Sequence, residues 1–185
     1  EQNDDASFEV DSIAWRQWSN IHPFLMRHGA FLDSLTPAQR DNAMALLKES
    51  LSPKGYQIAR DIMRLNESIL ELTGKTEEYG EWLYWMSLMG TPSSDEPWGW
   101  QIDGHHLIIN YFLVNGEAVM SPVFMGSEPI DADVGKYKGT RVFHDEEHVG
   151  LVLAQSLSAE QRNRAVISDE LPPEVFTTAF RDNFE

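Results

Sequence analysis

Trp98-Gly99-Trp100-Gln101-Ile102-Asp103-Gly104-His105-His106-Leu107-Ile108-Ile109-Asn110 reads as β-strand text with two adjacent imidazoles set into it. Apolar and aromatic residues continue through Val114, and again over 117–124. Between these runs lies Asn115-Gly116, a dipeptide that tolerates the positive φ angles of a two-residue hairpin turn. The expected result is a hairpin in which Val114 faces Glu117, Phe112 faces Val119 and His106 faces Met125.

Carried further, this register sets His105 opposite Gly126 and Asp103 opposite Glu128. Because side chains alternate along a strand, Gln101, Asp103, His105 and Glu128 would then share one face, a cluster suited to binding a cation or moving a proton. His106 would lie on the other face with Trp100, Ile108 and Asn110. For both imidazoles to hold one ion the strand must bulge or break, and Gly104 is the residue that permits it. His105 and His106 are therefore candidate metal ligands, Asp103 and Glu128 candidate catalytic carboxylates, and Glu147 a further carboxylate ligand.

Working outward, Thr36-Pro37-Ala38-Gln39 has an N-cap, a proline at the first helical position and Gln at the capping-box position, which predicts a helix over 37–51. Ser52-Pro53 repeats the signal, and Ile58, Ile62, Leu65, Ile69 and Leu72 follow at helical spacing up to Gly74. A short helix is expected around Asp11–Trp18, and a turn from Trp18 to Phe24 makes His22 a loop histidine. Glu81 to Met89 reads as a strand buried on both faces, and Gly90 to Pro97 as a loop forming a rim or lid beside the histidines. Helices resume over 144–157 and after Ser158. Helices, strands, then helices again predict a single α+β domain over 1–185, an antiparallel sheet with the Asn-Gly hairpin at its centre and helices on either side in sequence.

The 42% hydrophobic content supplies material for one core in 185 residues. Fourteen basic residues against thirty acidic ones give a net charge of −16, which opposes a phosphate-backbone partner or an anionic membrane surface. No apolar run approaches the roughly 20 residues of a membrane-spanning helix. With no cysteine, a metal must be held by imidazole, carboxylate, amide or water.

Two other patterns carry less. His144-Asp145-Glu146-Glu147-His148 has the histidine spacing of a zinc protease helix, but Asp145 stands where that motif needs glutamate. Acidic residues at a helix start are favoured by its dipole without any chemistry. Trp98 and Trp100, with Trp82 and Trp85 nearby, could line a groove for flat ligands, although core packing is the simpler use of such rings. Neither a phosphate-binding glycine loop nor a nucleophile-elbow serine is present.

Gly104-His105-His106-Leu107 and Trp98-Gly99-Trp100-Gln101 resemble the domain-of-unknown-function 3500 family. So do Trp18-Ser19-Asn20, Leu51-Ser52-Pro53-Lys54-Gly55, Tyr79-Gly80, Gly90-Thr91-Pro92, Pro122-Val123-Phe124-Met125-Gly126 and Glu128-Pro129, spread over 13–170. The resemblance implies a site at His105 and His106 and, because many members look exported by bacteria, a secreted or periplasmic location. It also implies a further segment with a His-x-His motif, which this sequence lacks, so that a missing C-terminal segment or second chain would complete the site.

The expected function is thus an extracytoplasmic metal-binding enzyme, hydrolase or oxidoreductase, using zinc or iron on a small-molecule or extracellular substrate. The alternative is a non-catalytic binding module whose groove is formed by Trp98 and Trp100.

Overall fold

A computed structural model describes residues 6–22 and 27–170. The chain forms an α+β structure around a six-stranded mixed sheet. Its strands are β1 Ser7–Phe8, β2 Ala30–Phe31, β3 Tyr84–Met89, β4 Trp98–Gly104, β5 Leu107–Val114 and β6 Glu117–Met125. They lie in the order β1-β3-β4-β5-β6, with β2 also pairing β3. All pairings are antiparallel except β1 with β3, so the wholly antiparallel expectation is corrected by one short N-terminal strand.

Helices α1 Pro37–Ser50 and α2 Pro53–Thr73 begin at the two cap-plus-proline signals. Thr36 and Gln39 form a reciprocal capping box, Ser52 accepts from the Gly55 amide, and Gly74 ends α2 in the left-handed conformation. Between Asp11 and Trp18 there is only a 3-10 turn, Ile13–Arg16, in place of the expected helix. The turn predicted from Trp18 to Phe24 runs at its end into residues outside the described ones.

The sheet has two unlike faces. Tyr84, Met86, Trp100, Ile102, Leu107 and Ile109 pack with α1 and α2 residues such as Leu47, Ile62 and Met63 in the main core. Gln101, Asp103, Asn110 and Ser87 occupy the opposite face and are also buried. There the N-terminal segment covers them: Trp15 meets Phe112 edge-on, and Ser19 and Arg27 bond to Asp103. Sealing a polar face in this way requires hydrogen bonds, which Gln101 makes to Asn110 and to the Trp15 carbonyl.

The histidine strand departs most from expectation. Instead of one strand continuing to Val114, β4 ends at Gly104 and β5 starts at Leu107, and these two residues pair across a loop made only of His105 and His106. His106 takes φ 59° to make the reversal. At the other end of β5, Val114 pairs with Glu117, and Asn115 and Gly116 lie between them at φ 52° and 76°. This ribbon is at one edge of the sheet, not at its centre.

Its register holds from Val114 to Tyr111, opposite Met120, and then shifts by one, so that Leu107 faces Met125. The slip coincides with Pro122, which has no N–H to give to a ladder, and with Asn110, whose side chain donates to the Pro122 carbonyl. The extrapolated pairs of His106 with Met125 and Asp103 with Glu128 are therefore wrong: Asp103 pairs with Trp85 and Ile108.

Gly104 serves a different purpose from the bulge expected of it. A Cβ there would run into the ring of Tyr84, which is fully buried and donates from its hydroxyl to the His105 carbonyl at 2.9 Å. Gly104→Ala is expected to destabilise the chain by about 1–3 kcal/mol, since the ring has nowhere to move. Chemical denaturation measures this, and an unchanged midpoint would refute the close fit.

After β6, α3 His144–Ser156 and α4 Ala159–Ala165 complete the described elements. Ser158 and Gln161 form the expected capping box. Neither helix has a buried residue. Val149, Val152 and Leu153 of α3 are exposed.

Candidate metal centre

The tip of the β4–β5 hairpin is held on three sides by backbone contacts. Tyr84 donates to the His105 carbonyl, the His106 amide donates to the Asn20 carbonyl at 2.9 Å, and the Gly126 amide donates to the His106 carbonyl at 2.9 Å. These contacts come from β3, the N-terminal segment and the end of β6, so three distant stretches of chain meet at two residues. A left-handed His106 costs backbone energy, and such an outlier persists only where its surroundings hold it.

Reversal rather than alternation is what brings the imidazoles together. Their ring centroids are 4.0 Å apart at 33°. Glu128 approaches from beyond β6, its Oε2 3.7 Å from His106 Nε2. One ligand atom from each of His105, His106 and Glu128 lies within 4.8 Å of the others, a spacing that one cation can bridge.

Further aromatic groups close the cluster. His22 stands edge-on to His105 with centroids 5.8 Å apart, and Tyr79 lies 5.5 Å from His105 and 5.2 Å from His22. His22 Nε2 is 3.5 Å from a Glu78 carboxylate oxygen. Phe124 stacks over His106 at 6.3 Å.

Electrostatics favour neutral imidazoles, the form that coordinates metals. Burial, reinforced by the charges of His106, His22 and Arg27, pushes His105 down to about 3. Burial also lowers His106, outweighing the opposite pull of Glu128. Both ring nitrogens of His106 are buried without a hydrogen-bond partner among the described residues. An imidazole so placed forgoes its usual contacts with water, and an ion would restore one of them.

Of the residues singled out from sequence, His105, His106 and Glu128 converge, and Glu147 and Asp103 do not join them. Asp103, 1% exposed, turns toward Arg27 at 3.0 Å and the Ser19 amide at 3.3 Å. Burial, against the pull of Arg27, raises its carboxyl to about 7. Arg27 also donates to the Ser19 and Ile21 carbonyls, so Asp103 anchors the segment that carries Asn20 and His22.

Glu147 lies in the exposed first turn of α3. That turn is tied through Glu146 to Lys54 at 3.0 Å, at the start of α2. The α2 residue touching His105 is Asn66, twelve positions on and so roughly 18 Å along the helix. His144, the first histidine of the protease-like run, pairs with Asp131 at 2.9 Å and does not meet the cluster.

The tryptophan groove is not borne out for Trp100. That ring is fully buried and stacks on Tyr111 at 5.3 Å, with no face open to a ligand. Trp98 packs beside the core, its indole N–H donating to the Ser93 carbonyl.

Asn66 and Tyr79 were missed by sequence reasoning. Asn66 carries a signal after all: it is the one amide on the stripe of Ile62, Leu65 and Ile69, where a polar residue needs a partner to be buried. Tyr79 sits in a turn, and its one mark in the sequence is the Tyr79-Gly80 stretch of the family resemblance, which gives it no role.

The family model described as protein of unknown function (DUF3500) matches residues 1–185, and the chain belongs to that family. No curated protein and no solved structure matches it.

Proposed function

We propose that this member of the family is a metal-dependent enzyme whose divalent ion is held by His105, His106 and Glu128. The observation that carries the reading is the convergence of three ligand atoms within 4.8 Å on a hairpin tip pinned from three directions. Two imidazoles and one carboxylate are the donor set of both hydrolytic zinc sites and non-haem iron oxygenases. Three protein ligands also leave a coordination position for water or substrate, which distinguishes catalytic from structural sites.

A bound ion would supply Lewis acidity or, as iron, redox capacity. The residues of the chain do the rest. Glu128, with its side chain 80% exposed, marks the side from which substrate arrives. Tyr79 and Phe124 line the cluster with aromatic surface. The net charge of −16 disfavours polyanionic substrates, and a small molecule that is not a polyanion fits better.

Metal analysis of tag-free protein prepared without chelators tests the proposal. One equivalent of zinc or iron per chain is expected after loading. Failure to retain either ion at micromolar concentration would overturn it.

A further inference from the structure

Asn66 is 3% exposed and sits inside α2, where asparagine is a weak helix former. Both ends of its amide are used. Nδ2 donates to the Gly80 carbonyl at 2.8 Å, and Oδ1 lies 2.9 Å from His105 Nδ1. The first contact settles the second, because a carbonyl accepts only from the NH2 end and so fixes Oδ1 as the end facing the imidazole. A carbonyl-type oxygen accepts, so Nδ1 of His105 must carry the proton. The lone pair of the neutral ring is then on Nε2.

We infer that Asn66 is a positioning residue that holds His105 as the Nδ1–H tautomer and leaves Nε2 as its ligand atom. The inference rests on His105 being a ligand, as proposed above, but the tautomer can be read without any metal. Metal-bound histidines commonly donate their second N–H to an oxygen, and loss of such a partner typically costs 10–100-fold in affinity. Asn66 takes that part from a helix remote in sequence, on a rigid element.

The test compares Asn66→Ala with Asn66→Asp. Aspartate keeps an acceptor for Nδ1–H but loses the donor to Gly80, whereas alanine loses both. Long-range 1H–15N spectra of 15N-histidine-labelled apo protein should show Nδ1–H at His105 in the parent and in Asn66→Asp, and not in Asn66→Ala. Zinc affinity, read by competition with a chromophoric chelator, should fall about 10–100-fold in Asn66→Ala and stay at or above the parent value in Asn66→Asp. Both variants should lose thermal stability through the Gly80 contact.

An Nε2–H tautomer in the parent overturns the inference even if no variant folds. Equal loss of zinc affinity in both variants also overturns it, because the brace at Gly80 would then be responsible. Correct tautomers in a parent that takes up no zinc would refute the metal reading and leave the tautomer assignment standing.

Discussion

Replacing His106 with glycine is expected to weaken zinc binding at least about 100-fold, more than the usual loss of a supporting partner, with little change in stability. The second half of that expectation follows from local structure. His106 makes no side-chain hydrogen bond within the described residues, so removing its ring strands no donor or acceptor. Its φ of 59° suits glycine better than any side chain. His105→Ala should lose as much affinity, but at a cost in stability of about 1–3 kcal/mol, because the buried oxygen of Asn66 loses its donor. Glu128→Gln, on an exposed side chain, should lower affinity at least roughly tenfold with no measurable effect on folding, since surface charges contribute little to stability. Zinc titrations read beside denaturation curves separate these three patterns. Three variants that bind zinc as the parent does would remove the centre altogether.

The helices were legible because their start signals are local: Thr36-Pro37 and Ser52-Pro53 cap whatever the rest of the chain does. The α+β class followed from the order of periodic segments. Strand text around the histidines was legible too, but not its break. Gly104-His105-His106-Leu107 has no turn residue except Gly104, and that glycine is needed for closeness to Tyr84 and not for its backbone angle. The reversal is imposed from outside, by Asn20, Tyr84 and Gly126.

That single difference reorders the site. Alternation along one strand separates the two imidazoles and puts Asp103 beside His105, whereas a hairpin tip joins the imidazoles and leaves Asp103 on the far face with Arg27. Glu128 was reached by a register that fails at Asn110. It still arrives beside His106, because the Gly126 amide keeps the end of β6 at the hairpin tip. Asn66, His22 and Tyr79 come from elsewhere in the chain, and no local pattern could place them there.

The largest stability loss is expected at Glu81, a position swallowed by the strand predicted over 81–89 and found just ahead of β3. Its buried carboxylate receives Arg60 at 2.6 Å, Lys136 at 3.0 Å and the Tyr137 hydroxyl, joining α2 to the segment that precedes α3. Burial alone would raise this carboxyl, yet donation from Tyr137, Lys136 and Arg60 outweighs it and holds the group below its ordinary range. The folded chain thus releases this proton more readily than the unfolded chain. The stabilisation is present above the ordinary carboxylate range and is lost as pH falls through the lower folded value.

Glu81→Ala leaves Arg60, whose side chain is 11% exposed, buried without its carboxylate and with only the Met63 sulfur and the Trp82 ring beside it among the described residues. The cost should be about 3–5 kcal/mol by urea denaturation near neutral pH. Arg60→Met should cost less, because Glu81 keeps both Lys136 and the Tyr137 hydroxyl as partners. A Glu81→Ala loss below about 1 kcal/mol, or an equal loss in both variants, would contradict this ordering. Glu81 follows Gly80, whose carbonyl holds the amide of Asn66, and the Glu81 amide is itself held by Glu67 at 2.8 Å. Even so, the Asn66 oxygen that faces His105 is carried by α2 and not by that turn, so both Glu81→Ala and Arg60→Met should lose stability while their folded chains keep the zinc affinity of the parent.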